Sequence, residues 1–322
     1  MSWLQKLLRS SHRRHTHQRF ALDACAEVTS PAGQRLVRLL LRHHRRYLQG
    51  AIAPDVRIRD FHNHVVHAGD GYWGGGPAKA TRWHDWMQDL LIRRAWSEAA
   101  HTAGILSHYF TDMLQPLHTD HSDREQLIHR PFEYSVAKAY DALYRRWRDH
   151  DSHVRFELAA GDGWLAAAML QSARLAHRAF QPIVDNYQLE TGVDDPPAGL
   201  NEASCRRLAE LFGVAITGWA RILERIAVEA ETRAGHPLPH VPLIAPFGQA
   251  VLQAPFRRLG DWIDDRHEAK VITALFEEYL QHGRLRRHAP EETVVIRRVI
   301  RVHRQEQARR RRSTVPPPAR AA

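Results

Sequence analysis

The chain has 322 residues, 43% hydrophobic and 25% charged, which fits an ordinary globular protein and excludes a collagen, a disulfide scaffold and a low-complexity polymer. No stretch is as long and uninterruptedly apolar as a membrane span requires. The 46 Lys and Arg outnumber the 36 Asp and Glu, but the excess is local: twelve Arg against three Glu lie between Arg284 and Ala322, so the rest is nearly neutral.

The opening MSWLQKLLRSSHRRHTHQRF is basic but lacks the apolar core of a secretion signal, and Cys25 and Cys205 stand too far apart for a CxxC motif. A cytoplasmic location is therefore expected, peripheral to the membrane if the WLQKLL segment or the C-terminal arginines lie on an anionic surface. Nucleic acid is the competing partner for those arginines, which neutralise phosphates without sequence choice.

Ser30 before Pro31, apolar Leu36, Leu39, Leu40 and Tyr47, and a stop at Gly50 predict one helix of about five turns. A second periodic stretch runs from Thr81 through Trp83, Met87 and Leu91 into Ile105 and Leu114. Pro131 is read as opening a third, over Phe132 to Trp147, with further helices over Trp164 to Ile183 and Glu202 to Ala230. Alternating strand patterns are scarce, so the fold class is all-α. Pro237, Pro239, Pro242 and Pro246 mark a connector, which divides the chain into a helical domain 1–234, a connector with a small helical region 235–288, and a basic Arg-rich tail 289–322.

The segment 104–135, GILSHYFTDMLQPLHTDHSDREQLIHRPFEYS, carries the chemistry. His108 and Asp112 are four apart in a helical pattern and share one face. Pro116 ends that helix and returns His118 toward the same end, and His129 with Glu133 repeats the four-residue spacing. Imidazoles and carboxylates without thiolates suit zinc or a similar divalent ion in a hydrolytic site, and a bridging carboxylate suits two ions acting on a phosphate ester. The glycine-rich GDGYWGGGP at 69–77 lacks the GK[ST] of a phosphate loop; its Tyr72 and Trp73 are candidates for the mouth of the site.

The run HYFTDMLQPLH, with HRPFE downstream, resembles the zinc-dependent phospholipase C family of bacteria, whose superfamily includes the S1/P1 nucleases. The resemblance implies an all-helical fold with a trinuclear zinc site, and the family pattern H-x3-D-x5-H…H-x3-E falls on His108, Asp112, His118, His129 and Glu133. Upstream, THQRFALDA resembles the family's first-helix histidine segment, placing His17 there, and GAIAPDV its aspartate loop, placing Asp55. Within DFHNHVVHAGD the family implies one histidine, assigned to His64 over His62 and His67. By that resemblance Asp55, His64, His108 and Asp112 bind one zinc, His118, His129 and Glu133 a second, and Asp112 bridges to a third held by His17. The family's third ion also takes the amino terminus of a tryptophan exposed by processing; here Trp3 precedes His17, so either His15 substitutes for that amine or the third site is weak or empty, which makes two or three zinc ions the expectation. The implied activity is phospholipase C-like hydrolysis of a phospholipid or related phosphodiester, with Asp55 as the catalytic carboxylate that orients the attacking water or takes its proton. The alternatives are an S1/P1-type nuclease and a non-catalytic, metal-stabilised membrane or nucleic-acid binding protein.

Overall fold

A computed structural model describes residues 2–12, 15–150 and 155–313. Among these every regular element is helical, which establishes the all-α class. In chain order they are α1 (Trp3–Ser11), α2 (Thr16–Ala24), α3 (Pro31–Arg42), α4 (His44–Gly50), α5 (Gly76–Ile92), α6 (Trp96–Asp112), α7 (Asp123–His150), α8 (Trp164–Asn186), α9 (Leu189–Asp194), α10 (Glu202–Ala234), α11 (Ile244–His282) and α12 (Glu291–Ser313). No described helix is long and apolar enough to cross a membrane.

The core is organised around α6, where every residue from Thr102 to Asp112 is buried. A helix buried on all sides must be apolar or small on all sides, and Ala99, Ala100, Ala103 and Gly104 supply this along much of its length. Helices α2, α4, α5 and α10 surround it. The α4 crossing is tight enough to require glycine on both helices: a Cβ on Gly104 would stand 2.0 Å from the Tyr47 carbonyl oxygen, and one on Gly50 2.0 Å from that of His101. Behind this crossing the buried Trp219 of α10 donates its indole N–H to the Tyr47 hydroxyl at 2.8 Å, which donates in turn to the Ala21 carbonyl at 3.1 Å. Helix α2 is tied to α7 where the Asp23 carboxylate accepts from Arg9 of α1 at 2.7 Å and from Tyr140 at 3.0 Å.

Three expected elements differ from those observed. The five-turn helix over 31–50 is two helices, broken at His43, whose N–H is shared between the Leu39 and Leu41 carbonyls. The stretch from Thr81 to Leu114 is α5 and α6, separated where Arg94 takes a left-handed φ of 59° and the Ala95 N–H closes on the Leu90 carbonyl at 2.9 Å. Such a reversal ordinarily uses glycine, and no glycine marks it here. Pro131 does not open a helix but lies inside α7. The start is set by Ser122, whose hydroxyl accepts from the Glu125 N–H at 3.0 Å, and Pro131 leaves the Leu127 carbonyl without its helical donor.

No helix is described from 236 to 243, and Pro246 falls in the first turn of α11. The segment read as a basic tail is helix α12, folded back on the body; the Pro/Ala-rich end lies outside the described residues. The turn before it is held by Glu278, whose carboxylate accepts the backbone N–H groups of Arg286, Arg287 and His288 at 2.8, 2.7 and 2.9 Å.

Because both partners at the α4–α6 crossing are backbone, Gly104→Ala has no flexible neighbour to push aside. It is expected to lower unfolding stability by about 3 kcal/mol, read as a reduced urea midpoint at unchanged m-value.

Candidate metal centre

The site forms at the C-terminal end of α6. His108 and Asp112, one turn apart, project to the same side, with the His108 Nε2 3.1 Å from an Asp112 oxygen. The His108 Nδ1 lies 2.9 Å from the Ala51 carbonyl, a contact made possible by the α4–α6 crossing just described. Beyond Ala51 the chain makes one π-helical turn, Pro54–Ile58, which ends where Arg59 adopts φ 54°. This turn carries Asp55 to 3.3 Å from His108 Nε2 and 3.4 Å from His64 Nδ1. His64 Nδ1 also reaches Asp112 at 3.3 Å. From the other side, His17 in the first turn of α2 brings its Nε2 to 3.4 Å from the second Asp112 oxygen.

His118 ends a 3₁₀ turn, Pro116–His118, and its Nδ1 lies 3.6 Å from Asp112. Its Nε2 is 3.6 Å from a Glu133 oxygen, which stands 3.5 Å from the His129 Nε2. The loop after His64 is pinned to this turn by backbone bonds from Val66 to the His118 carbonyl and from Ala68 to that of Thr119. The ligating atoms thus gather into three groups: His17 with His108 and Asp112; Asp55 with His64 and His108; His118 with His129 and Glu133. All eight residues singled out in the sequence come together here. His62 is exposed, His67 stacks on Trp73 outside the groups, and His15 lines the same cavity without joining one of the three groups.

Four of the five imidazoles are oriented from behind, His118 being the exception. His129 Nδ1 is 2.6 Å from Glu125 Oε1, and His17 Nδ1 is 2.8 Å from the Thr111 hydroxyl, whose own proton serves the Ser107 or His108 carbonyl. With His108 on the Ala51 carbonyl, three imidazoles set Nδ1 against an oxygen acceptor and turn Nε2 inward, the orientation of metal-bound histidines. Asp60 lies behind His64 at 3.6 Å and is itself held by Tyr109 at 2.7 Å and Lys79 at 3.0 Å. Gln115 donates to Glu133 at 3.1 Å. The inward atoms lack hydrogen bonds: His108 Nε2, Asp112 Oδ2, both His118 nitrogens and His129 Nε2 are buried without a partner in the protein. Orphaned polar atoms of this kind are costly, and a divalent cation among them satisfies donors that no hydrogen bond reaches. The residues fit a metal.

No family model and no curated protein matches the chain. The chemistry of the site therefore rests on its own geometry.

Electrostatics point the same way. Burial would raise the Asp112 and Glu133 pKa values, yet the surrounding histidines hold both carboxyls well below the usual range, so both are ionised. Burial lowers the His17 imidazole to about 4, helped by His108. Against burial, the Glu133, Glu292 and Asp112 carboxylates lift His118 to about 9, and Asp112 with Asp55 lifts His108 well above its ordinary value. Without a bound cation these imidazoles balance the carboxylates as imidazolium, an arrangement intact below about pH 6.5 and lost for His118 as the pH rises through about 9.

Several contributors were not foreseen: Asp60, Gln115, Glu125 and, from α12, Glu292. Glu125 had a signal, since Glu125, His129 and Glu133 form a ladder of four-residue spacings along α7 that His121 extends just ahead of the helix. Tyr72 and Trp73 are not among the residues that line the cavity at the candidate metal groups. Trp73 is sandwiched between His67 at 4.3 Å and His303 at 4.5 Å, and the Tyr72 hydroxyl accepts from Arg174 at 2.8 Å.

Since metal binding needs neutral imidazoles, zinc uptake at pH 7 is expected to release roughly one proton or more per ion. Apparent affinity should climb with pH toward about 9, where His118 is deprotonated without help. Calorimetric titration in two buffers of different ionisation enthalpy reads the proton count; equal heats in both would contradict it.

Proposed function

We propose that this chain is a zinc-dependent phosphodiester hydrolase of phospholipase C type. The observation that carries the reading is the joining of three His/carboxylate groups through one buried residue, Asp112, on a cavity of about 1200 Å³. The donor set of imidazole and carboxylate without thiolate favours zinc in an open, hydrolytic site over a closed structural one.

Bound zinc supplies positive charge to the developing phosphoryl oxygens and lowers the pKa of an attacking water. The protein's own contributions follow from burial. Asp112 is 1% exposed and committed to four imidazoles, so it organises the cluster. Asp55 and Glu133 are both 41% exposed and line the cavity, but Glu133 is held by Gln115 at 3.1 Å, so Asp55 is assigned as the carboxylate that orients the water and accepts its proton. The Thr111, Ala51 and Glu125 oxygens hold the imidazole tautomers fixed while the proton moves.

The cavity wall favours a lipid over a nucleotide. Phe20, Phe132, Val136, Leu211, Phe212 and Trp262 line it, and the carboxylates of Asp141, Asp265 and Glu268 stand among the arginines and lysine there. An apolar chain suits such a wall; a polyanion meets its acids. Arg130 and Lys138 are each already paired with a carboxylate of α11, at 2.8 and 2.7 Å, which reduces what they offer a phosphate backbone.

A panel of phosphatidylcholine, bis-p-nitrophenyl phosphate and single-stranded DNA tests the assignment on zinc-loaded protein. Cleavage of the lipid, and of the small diester more slowly, is expected. Preference for DNA would assign the nuclease alternative, and no cleavage of any would leave a metal-stabilised binding protein. Asp55→Asn is expected to cut turnover by about a hundredfold or more while most of the zinc is retained, measured by steady-state kinetics beside metal analysis.

A further inference from the structure

Helix α12 brings a carboxylate into the metal centre that no sequence pattern connects with it. Glu292 lies in the first turn of α12, and its Oε1 stands 3.4 Å from His118 Nε2 and its Oε2 3.8 Å from His129 Nε2. Glu133 presents an oxygen to the same two nitrogens at 3.6 and 3.5 Å. Two carboxylates therefore converge on two imidazole nitrogens. The Glu292 side chain is 16% exposed, and its Oε1 is buried with no hydrogen-bond partner in the protein. A first-turn glutamate ordinarily faces solvent near its own helix N-terminus; this one faces inward, toward His118 and His129.

The helix that carries it is seated by specific contacts. Glu291 pairs with Arg59. Ile296 and Ile300 are buried against Val65, with Trp73 beside them. His303 stacks on Trp73 and lies 3.6 Å from Asp70. All of these partners belong to the segment 59–73 that also holds Asp60 and His64. Seating α12 thus fixes the loop of one metal group and delivers a carboxylate to another.

We propose that Glu292 is a protein ligand of the ion held by His118, His129 and Glu133, so that filling this metal site and seating α12 over the cavity are one coupled equilibrium. The proposal rests on the metal-binding reading above. It adds a fourth protein donor to a three-donor group, which completes a tetrahedral set and takes the position that water or substrate phosphate would use. With α12 seated, the fourth position of that one ion is filled by the chain itself; a phosphodiester oxygen binding there requires Glu292 to withdraw. Glu292 and a substrate phosphate are then competing anions for one position.

The test uses the full chain and zinc alone. Zinc affinity is measured by competition with a chelating dye for the wild type, Glu292→Gln and Glu292→Ala. Hydrogen exchange of the α12 amides is followed with and without zinc, and Glu291→Gln serves as a control that loosens seating without touching the proposed ligand. The proposal predicts that both Glu292 variants lose about tenfold or more in affinity for one ion, by analogy with the loss of groups that support metal ligands. It also predicts that zinc slows α12 exchange in the wild type and in Glu291→Gln but not in the Glu292 variants. Unchanged zinc affinity in both Glu292 variants, with α12 exchange indifferent to zinc, would overturn it while leaving the metal-binding reading intact. A wild type that takes up no zinc would overturn both.

Discussion

A carboxylate buried at the centre of a helical protein is the constraint on which the rest of this structure depends. Asp112 is 1% exposed, and its two oxygens face His17 and His118 on one side and His64 and His108 on the other, at 3.1 to 3.6 Å. An isolated buried charge is not tolerated, so the fold must bring counter-charge to it from several directions. It does so from α2, from the loop after α4, from α6 itself and from the turn beyond it. The paired glycines at the α4–α6 crossing serve the same end, because only a close approach lets the Ala51 carbonyl fix the His108 ring.

How much of this was legible in the sequence follows from the range of each signal. The helices declare themselves by period, so the all-α class needed nothing beyond apolar spacing. Their breaks did not: His43 and Arg94 interrupt the helical pattern with neither glycine nor proline to mark them. Pro131 misled for the opposite reason, since proline favours a first turn but is tolerated inside α7 at the loss of one hydrogen bond. Within the site, His108, Asp112, His118, His129 and Glu133 were visible from helical spacing and one proline. His17, Asp55 and His64 come from separate segments whose convergence no local pattern states, and only a family resemblance pointed to them. Asp60 and Glu125 sit four residues before His64 and His129 and were within reach of the same spacing argument.

Glu292 was beyond any such reading. It lies 159 positions after Glu133, in a segment whose arginines suggest a solvated tail. What turns that segment back is a local device of a different kind, the three backbone N–H groups gathered by Glu278. A basic outer face and an apolar inner row, Ile296 and Ile300, then let one helix face both water and the body. The extension is thereby joined to the chemistry of the site rather than appended to it.

The central claim is that Asp112 joins ions rather than merely protons. The most direct measurement is the zinc content of purified protein by plasma mass spectrometry, for the wild type and for Asp112→Ala. Two or three zinc ions per chain, with more than one lost when the single carboxylate is removed, is the result this account predicts. A wild type that holds no zinc after reconstitution, or a variant that keeps the full complement, would contradict it.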